Sequence, residues 1–510
     1  MNVLFISIDS LSRHFLDVYP EIAVEFDVET DNLDRFAERA AVFHRHYAGS
    51  LPCMPARREW LTGTQEFLWR PWGPIEPFDH TLPELARHAG AWTQLITDHY
   101  HYFQHGSHGY YEDFNGFEFI RGHEYDAWQR TPKDVDEQLL RQITTEGDYD
   151  HANPDDTGFM RRAQYARNVD SFTGETDFFA PKVFAETADW VSDSQQWEQW
   201  FCYVDSFDVH EPFHCPEPYA SLYTDEDPTD PDLINWPYYG RIDEGQSELS
   251  DRQLEFVRAQ FAGKITMVDR WFGRVLDACD ATNAWEDTMI IVTADHGHYL
   301  GEHGWIGKPQ APLYDVLANT PLFLWHPRAE RMGDSIHELT AAVDLYGTIL
   351  DALEIADAEH RHSQSLLPLV NGARDGHRDW ALYGYWGSSV NITDGRYTYF
   401  HPCDETIDAT CYSTEMMNPL GWFVPREPKF DAESGQFLPY TDSPVWRFTA
   451  PSVSRHDAPM LFDTAADPEQ REDIAGGNED AETRLRSLLR DALDSFEAPA
   501  EQYDRLSLAG

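Results

Sequence analysis

The chain has 510 residues, 41% of them hydrophobic and 17 of them Trp, enough apolar surface for one large domain plus a smaller one and too much for a disordered acidic protein. Ninety Asp and Glu stand against 38 Lys and Arg, a formal net charge of −52, which argues against nucleic acid as a partner. Lys occurs only at 133, 182, 264, 308 and 429; self-repulsion of this size is tolerable where salt screens it, the Debye length falling to roughly 3 Å at 1 M.

In chain order, an apolar run over 3–8 ends in Asp9, as a strand buried on both faces of a parallel sheet reads. Residues 31–43 predict an amphipathic helix capped by Thr30 or Asp31. A second helix begins near Cys53, a third covers 82–88, and a strand over 93–97 ends in Asp98-His99. An acidic, aromatic section runs to about 175 and reads as an insertion near a site mouth. A helix over 175–191 and a strand over 200–204 ending in Asp205 follow.

Leu254, Val257, Phe261, Ile265, Val268, Phe272 and Val275 recur at three and four residues, predicting a long amphipathic helix over 251–279. A strand over 289–294 ends in Asp295-His296, and another covers 321–325. Alternating strands and helices predict an α/β sandwich on a mostly parallel sheet, with ligands at the strand carboxyl ends. Past about 376 the pattern changes: a hairpin turns at Asp394-Gly395 and a helix covers 481–496. This gives a large domain over 1–375 and a small C-terminal α+β subdomain over 376–510.

The six Cys, at 53, 202, 215, 279, 403 and 411, have no zinc-finger spacing; a Cys403 to Cys411 bridge is open, but reduced thiols are the expectation. The chain opens on residues 2–8 without a basic leader or cleavage site, and no apolar run approaches spanning length. The expectation is a soluble cytoplasmic protein with no membrane partner.

Cys53, Pro55 and Arg57, followed by Leu61-Thr62-Gly63, carry the most chemistry. Pro55 suits a first helical turn, which sets Cys53 at a helix entrance suited to an anion. Arg57, one turn on, faces the same way and can hold a tetrahedral oxyanion in fork geometry. A buried structural Cys beside a Pro-containing helix is the plain alternative. Asp9 and Asp295 supply hard oxygen ligands for a divalent cation.

This C-x-P-x-R…L-T-G pattern resembles the signature of the sulfatase family, in the alkaline phosphatase superfamily. The resemblance implies an alkaline phosphatase-like sandwich and oxidation of Cys53 to formylglycine by a maturation enzyme. It implies a divalent cation, Ca²⁺ first with Mg²⁺ or Mn²⁺ open, held at Asp9, Ser10, Cys53, Asp295 and His296. Ser10 departs from the family's second Asp, so the site has one charge fewer or recruits a carboxylate or water instead.

Residues 301–308 are similar to the family's G-[DE]-H-G-x-x-G-K, where Lys308 would bind sulfate. His210, before Glu211-Pro212, is similar to its H-x-P segment and would contact sulfate and protonate the leaving oxygen. In 97–101, Asp98 stands where the family carries Lys, leaving His99 or His101 as the assisting base, His99 being nearer the strand end. The segments 343–345, 364–368 and 461–468 match as fold markers.

The implied reaction is attack on sulfur by one oxygen of a hydrated formylglycine, then collapse to the aldehyde with release of sulfate from a small-molecule or carbohydrate ester. A formylglycine-dependent phosphonate monoester or phosphodiester hydrolase is the nearest alternative, and an inactive binding homologue a more distant one. The acidic, Lys-poor composition is in turn similar to proteins of extreme halophiles, so activity on an anionic ester is expected to need salt.

Overall fold

The computed structural model describes residues 1–22, 24–104, 106–143, 157–242, 249–308, 311–356, 362–415 and 431–508, with backbone alone over 157–161. Part of the acidic, aromatic section, 144–156, lies outside the described residues. Eight strands form the main sheet: β1 (Asn2–Ile8), β2 (Ala41–Phe43), β3 (Trp92–Thr97), β4 (Gly116–Phe119), β5 (Trp200–Ser206), β6 (Thr288–Thr293), β7 (Leu322–Trp325) and β8 (Ser335–Ile336). Their spatial order is β8-β2-β7-β6-β1-β5-β3-β4. All neighbours pair in parallel except β7, which runs antiparallel to both β2 and β6. β1 is buried along its whole length, which is why it reads as an unbroken apolar run rather than an alternation. This is the expected α/β sandwich on a mostly parallel sheet.

The expected helix over 31–43 is corrected. It spans Asp31–Ala37, and Ala41–Phe43 instead pairs with Leu322–Leu324 on one side and Ser335–Ile336 on the other. Three apolar residues suit either period, and two open strand edges decide for the sheet. The long helix, Asp251–Thr282, is capped by Ser250 in a reciprocal capping box with Gln253 and ends at Asn283 in the left-handed conformation. It packs against Phe179–Asp193 across one face of the sheet.

A second sheet has the order Ser50–Leu51, Ala381–Tyr385, Val390–Thr393, Tyr397–His401 and Met460–Asp463. The hairpin at Asp394-Gly395 is present, with Gly395 at φ 85°, and Glu479–Ser495 packs on this sheet. Its first strand, Ser50–Leu51, belongs to the chain just before Cys53. The C-terminal strands are therefore joined by backbone pairing to the segment that leads into the helix carrying Cys53. All six cysteines are buried and none is in a disulfide, so Cys403 and Cys411 are not bridged. Among the described residues, no helix is long and apolar enough to cross a membrane.

Candidate active site

Cys53 is the first residue of the helix Cys53–Thr62, every residue of which is buried, and Gly63 closes it at φ 68°. A Cβ at Gly63 would sit 2.6 Å from the Tyr346 ring, so the turn needs glycine on both counts. The helix buries three successive titratable side chains, Arg57, Arg58 and Glu59, and burial pushes the Glu59 carboxyl up to about 7. Arg58 meets Glu66 and Asp79, Glu59 accepts from the Ser50 amide at 2.6 Å, and Arg57 turns towards the strand ends. The two buried guanidinium groups keep their charge because carboxylates meet them.

Asp9, Asp98, Asp205 and Asp295 all lie at or just past the carboxyl ends of β1, β3, β5 and β6. Arg57 gathers three of them. Its Nε donates to Asp205 Oδ2 at 2.8 Å; Nη1 donates to the Cys53 carbonyl at 3.1 Å and to Asp295 Oδ2 at 2.6 Å; Nη2 donates to Asp9 Oδ2 at 2.9 Å and Asp205 Oδ1 at 2.8 Å. A guanidinium has five N–H donors, and all five are spent. In this structure Arg57 is the rivet that fixes the carboxylates, and the fork expected for an oxyanion is directed at Asp9, Asp205 and Asp295.

Asp9, Cys53, Asp295 and His296 each place one ligand atom within 4.8 Å of the others. His296 Nδ1 donates to the Gly297 carbonyl at 2.8 Å, which leaves Nε2 bare and facing Cys53 Sγ at 3.2 Å. Gly297 is required because a Cβ there would lie 1.9 Å from the Val316 carbonyl oxygen. Ser10, at φ 61°, recruits no further carboxylate. Its hydroxyl donates to Asp9 Oδ1 at 2.7 Å and accepts from Lys308 Nζ at 3.2 Å, while its amide donates to Asp295 Oδ1 at 3.0 Å. Ser10 thus links the carboxylates to Lys308.

Burial pushes Asp9 well above the ordinary carboxylate range, and Asp295 across the site pushes the same way. Burial also holds the Cys53 thiol well up, with Asp9 adding to it, and lowers His296 to about 4 against the pull of Asp295. Crowded carboxylates, a bare imidazole nitrogen and a buried sulfur are a donor set that fits a divalent cation, hard oxygens suiting Ca²⁺ or Mg²⁺ and imidazole extending the range to transition metals.

Lys308 follows the short strand Trp305–Gly307 and is 3% exposed. Burial works to lower it, but Cys53, Glu211, Asp9 and Asp295 hold it above the ordinary lysine range, so it stays an ammonium. His210 Nδ1 donates to the Glu211 carbonyl at 2.8 Å, leaving Nε2 free. Burial takes His210 well below its usual value, and Glu211 opposes that. His99 belongs to a deeper layer. Its Nδ1 is 3.5 Å from Asp205 Oδ2, it packs on Tyr102 and Phe207, and burial keeps it neutral. His101 instead faces Glu124 at 3.1 Å and Gln104 at 2.7 Å.

Asp205, a strand end by its sequence, grips Arg57 and accepts from Ser7 and Tyr102 at 2.6 Å each, and two further participants, Glu211 and His298, are not singled out by the sequence. Glu211 sits 3.3 Å from His298 and 4.0 Å from Lys308, fully buried. The signals were a carboxylate inside the H-x-P segment and a second His two residues beyond His296.

A family model for sulfatases matches residues 1–355. The chain is 23% identical to the choline-sulfatase of Rhizobium meliloti over 431 residues, 78% of each chain. Its fold is similar to that of the phosphonate monoester hydrolase of Agrobacterium radiobacter, at 20% identity and TM-score 0.63 over 97% of this chain and 95% of that one. It is also similar to that of BT4656 in complex with its substrate D-glucosamine-2-N,6-O-disulfate, at 14% identity and TM-score 0.64 over 98% and 99%. Two thirds of the chain under one family model, with the family's signature residues meeting at the strand ends, settle the classification: this chain belongs to the sulfatase family and is a sulfuric ester hydrolase.

Proposed function

We propose that Cys53 is the precursor of a formylglycine nucleophile and that the enzyme cleaves the S–O bond of a small-molecule or carbohydrate sulfate ester. The observation that carries this is the meeting of Cys53 Sγ with His296 Nε2, Asp9 and Asp295 at a helix entrance. A formylglycine here would supply a hydroxyl nucleophile with an internal route of collapse, and a divalent cation at Asp9, Cys53, Asp295 and His296 would supply charge stabilisation. Oxygen donors make Ca²⁺ the first candidate, with Mg²⁺ and Mn²⁺ next.

The chain's own residues do the rest. Arg57 keeps three carboxylates at fixed spacing, Lys308 places a fixed positive charge beside the reacting group, and the free Nε2 of His210 serves to bring a proton to the leaving oxygen. His99 acts behind Asp205, as part of the packing that fixes Arg57, rather than as the base named from sequence. The choline-sulfatase relative and the glucosamine disulfate complex support both a small-molecule and a carbohydrate ester.

The test is the mass of the peptide carrying residue 53 from protein made with a formylglycine-generating maturation enzyme. Formylglycine is expected; unmodified Cys in an enzyme active on sulfate esters would refute the proposal. A phosphonate or phosphodiester hydrolase is the second reading, supported by the likeness in fold to the phosphonate monoester hydrolase of Agrobacterium radiobacter. Faster hydrolysis of aryl phosphonates than of aryl sulfates in high salt would replace the first reading with the second.

A further inference from the structure

His210 rides on the segment 208–212, between the end of β5 and the start of a loop. Lys264 reaches that segment from the middle of the long helix Asp251–Thr282. Its Nζ donates to the His210 carbonyl at 2.9 Å and to the Pro212 carbonyl at 3.0 Å, and ion-pairs with Asp208. An ammonium has three protons, and all three go to these five residues. Lys264 is 2% exposed and Asp208 1%.

Asp208 extends the grip. Its Oδ1 faces His123 Nε2 at 2.9 Å, and its Oδ2 accepts from the Ala180 amide at 3.1 Å, in the first turn of Phe179–Asp193. The Val209 amide donates to the Asp9 carbonyl at 3.0 Å. The segment is thereby tied to two helices, to the loop carrying His123 and to the end of β1. Asp98, His123 and Asp208 form a second group spaced for a metal, yet the Lys264 ammonium already lies on Asp208. A cation is built into that group, and it spends its remaining protons on the backbone of His210 and Pro212.

Burying an ammonium costs several kcal/mol before its partners repay it, and a neutral side chain would leave two buried carbonyls and the Asp208 carboxylate without it. We propose that Lys264, with Asp208 as its counter-ion, is a positioning residue that sets the place of the His210 imidazole relative to the leaving oxygen. This rests on the reading of His210 as proton donor. The competing account is an ordinary core ion pair that holds helix to loop and has no bearing on proton delivery.

The experiment measures kcat and KM for a series of aryl sulfates of rising leaving-group pKa, on metal-loaded, formylglycine-bearing wild type and on H210A, K264M, K264R and D208N. A misplaced donor hurts most where the leaving oxygen most needs its proton. H210A is expected to lose rate increasingly along the series. K264M and D208N are expected to follow the same trend with unchanged KM, losing up to about 10²-fold in kcat on the poorest leaving group, as expected for an angstrom-scale displacement. K264R, which keeps the charge and the donors, is expected to keep most of the rate.

A uniform loss across the series in K264M and D208N, with H210A still leaving-group dependent, would overturn the positioning role and leave the His210 reading standing. A flat series for H210A would overturn that reading and this inference together. If K264M does not fold, D208N carries the same comparison.

Discussion

Two clusters of titratable side chains lie behind the strand ends, and they solve the same electrostatic problem in opposite ways. Around Cys53, the carboxylates of Asp9, Asp205 and Asp295 share the single guanidinium of Arg57, with Lys308 beyond Ser10. Negative charge is left over, and Asp9 is pushed up by burial and by Asp295. Around Asp208, burial and Asp208 itself push Asp98 well up, while Lys264 and His123 satisfy Asp208. The first cluster keeps an excess of carboxylate that fits an external cation; in the second, Lys264 already lies on Asp208. Similar ligand spacing in the two groups therefore does not imply similar ligands.

The largest break in this comparison comes from the first cluster. Replacing Cys53 by Ala is expected to lower kcat/KM by at least about 10³-fold, the scale of losing a nucleophile that works as a unit with its neighbours. Chelation is expected to abolish activity reversibly, and metal analysis should find one divalent ion per chain, lost in D295N and retained in D208N. Two ions per chain would break the contrast.

Next in size is Arg57→Lys, which keeps a charge and loses the five-donor geometry. Leaving buried carboxylates unpaired costs about 3–5 kcal/mol, read as a lower unfolding midpoint in denaturant together with weaker metal binding. A stability loss under about 1 kcal/mol, the exposed-pair range, would show that Arg57 is not the rivet.

The pH dependence sharpens the contrast within the site. The His210 acid role needs the protonated ring, whose population falls as pH rises through its pKa. Burial lowers that pKa and Glu211 raises it, so kcat/KM is expected to decline with rising pH on a limb displaced to the acid side. In E211Q the limb moves further to acid, because the opposing charge is gone. A limb that moves towards alkali in E211Q would contradict the assignment. The smallest effect is expected from salt. Lowering it from about 1 M to 0.1 M lengthens the Debye length from roughly 3 to 10 Å, so the net charge of −52 should raise KM for an anionic ester more than for a zwitterionic one of similar size.

Much of the site was legible because its residues obey local rules. Asp9 and Asp295 follow apolar runs that read as buried parallel strands, Cys53 and Arg57 lie one turn apart before a glycine stop, and Lys308 is conspicuous where lysine is scarce. The helix over 31–43 misled because three apolar residues carry no period, and strand edges far away in sequence claimed them. Lys264 had a signal that went unread: it falls three residues after Phe261 and four before Val268, on the apolar face of the long helix, where a charge needs a reason.

The sequence by itself determined the long helix, the buried parallel strands, the family signature and the candidates at the strand ends, since these follow from short-range periodicity, capping and spacing. Only the tertiary structure decided what each charge does. Five donors on Arg57 could be counted as spent only once Asp9, Asp205 and Asp295 had converged from β1, β5 and β6. Whether Asp208 meets a metal or a lysine depended on a helix that begins more than forty residues later. Partnership between buried charges is a property of distances across the core, and a linear sequence does not contain them.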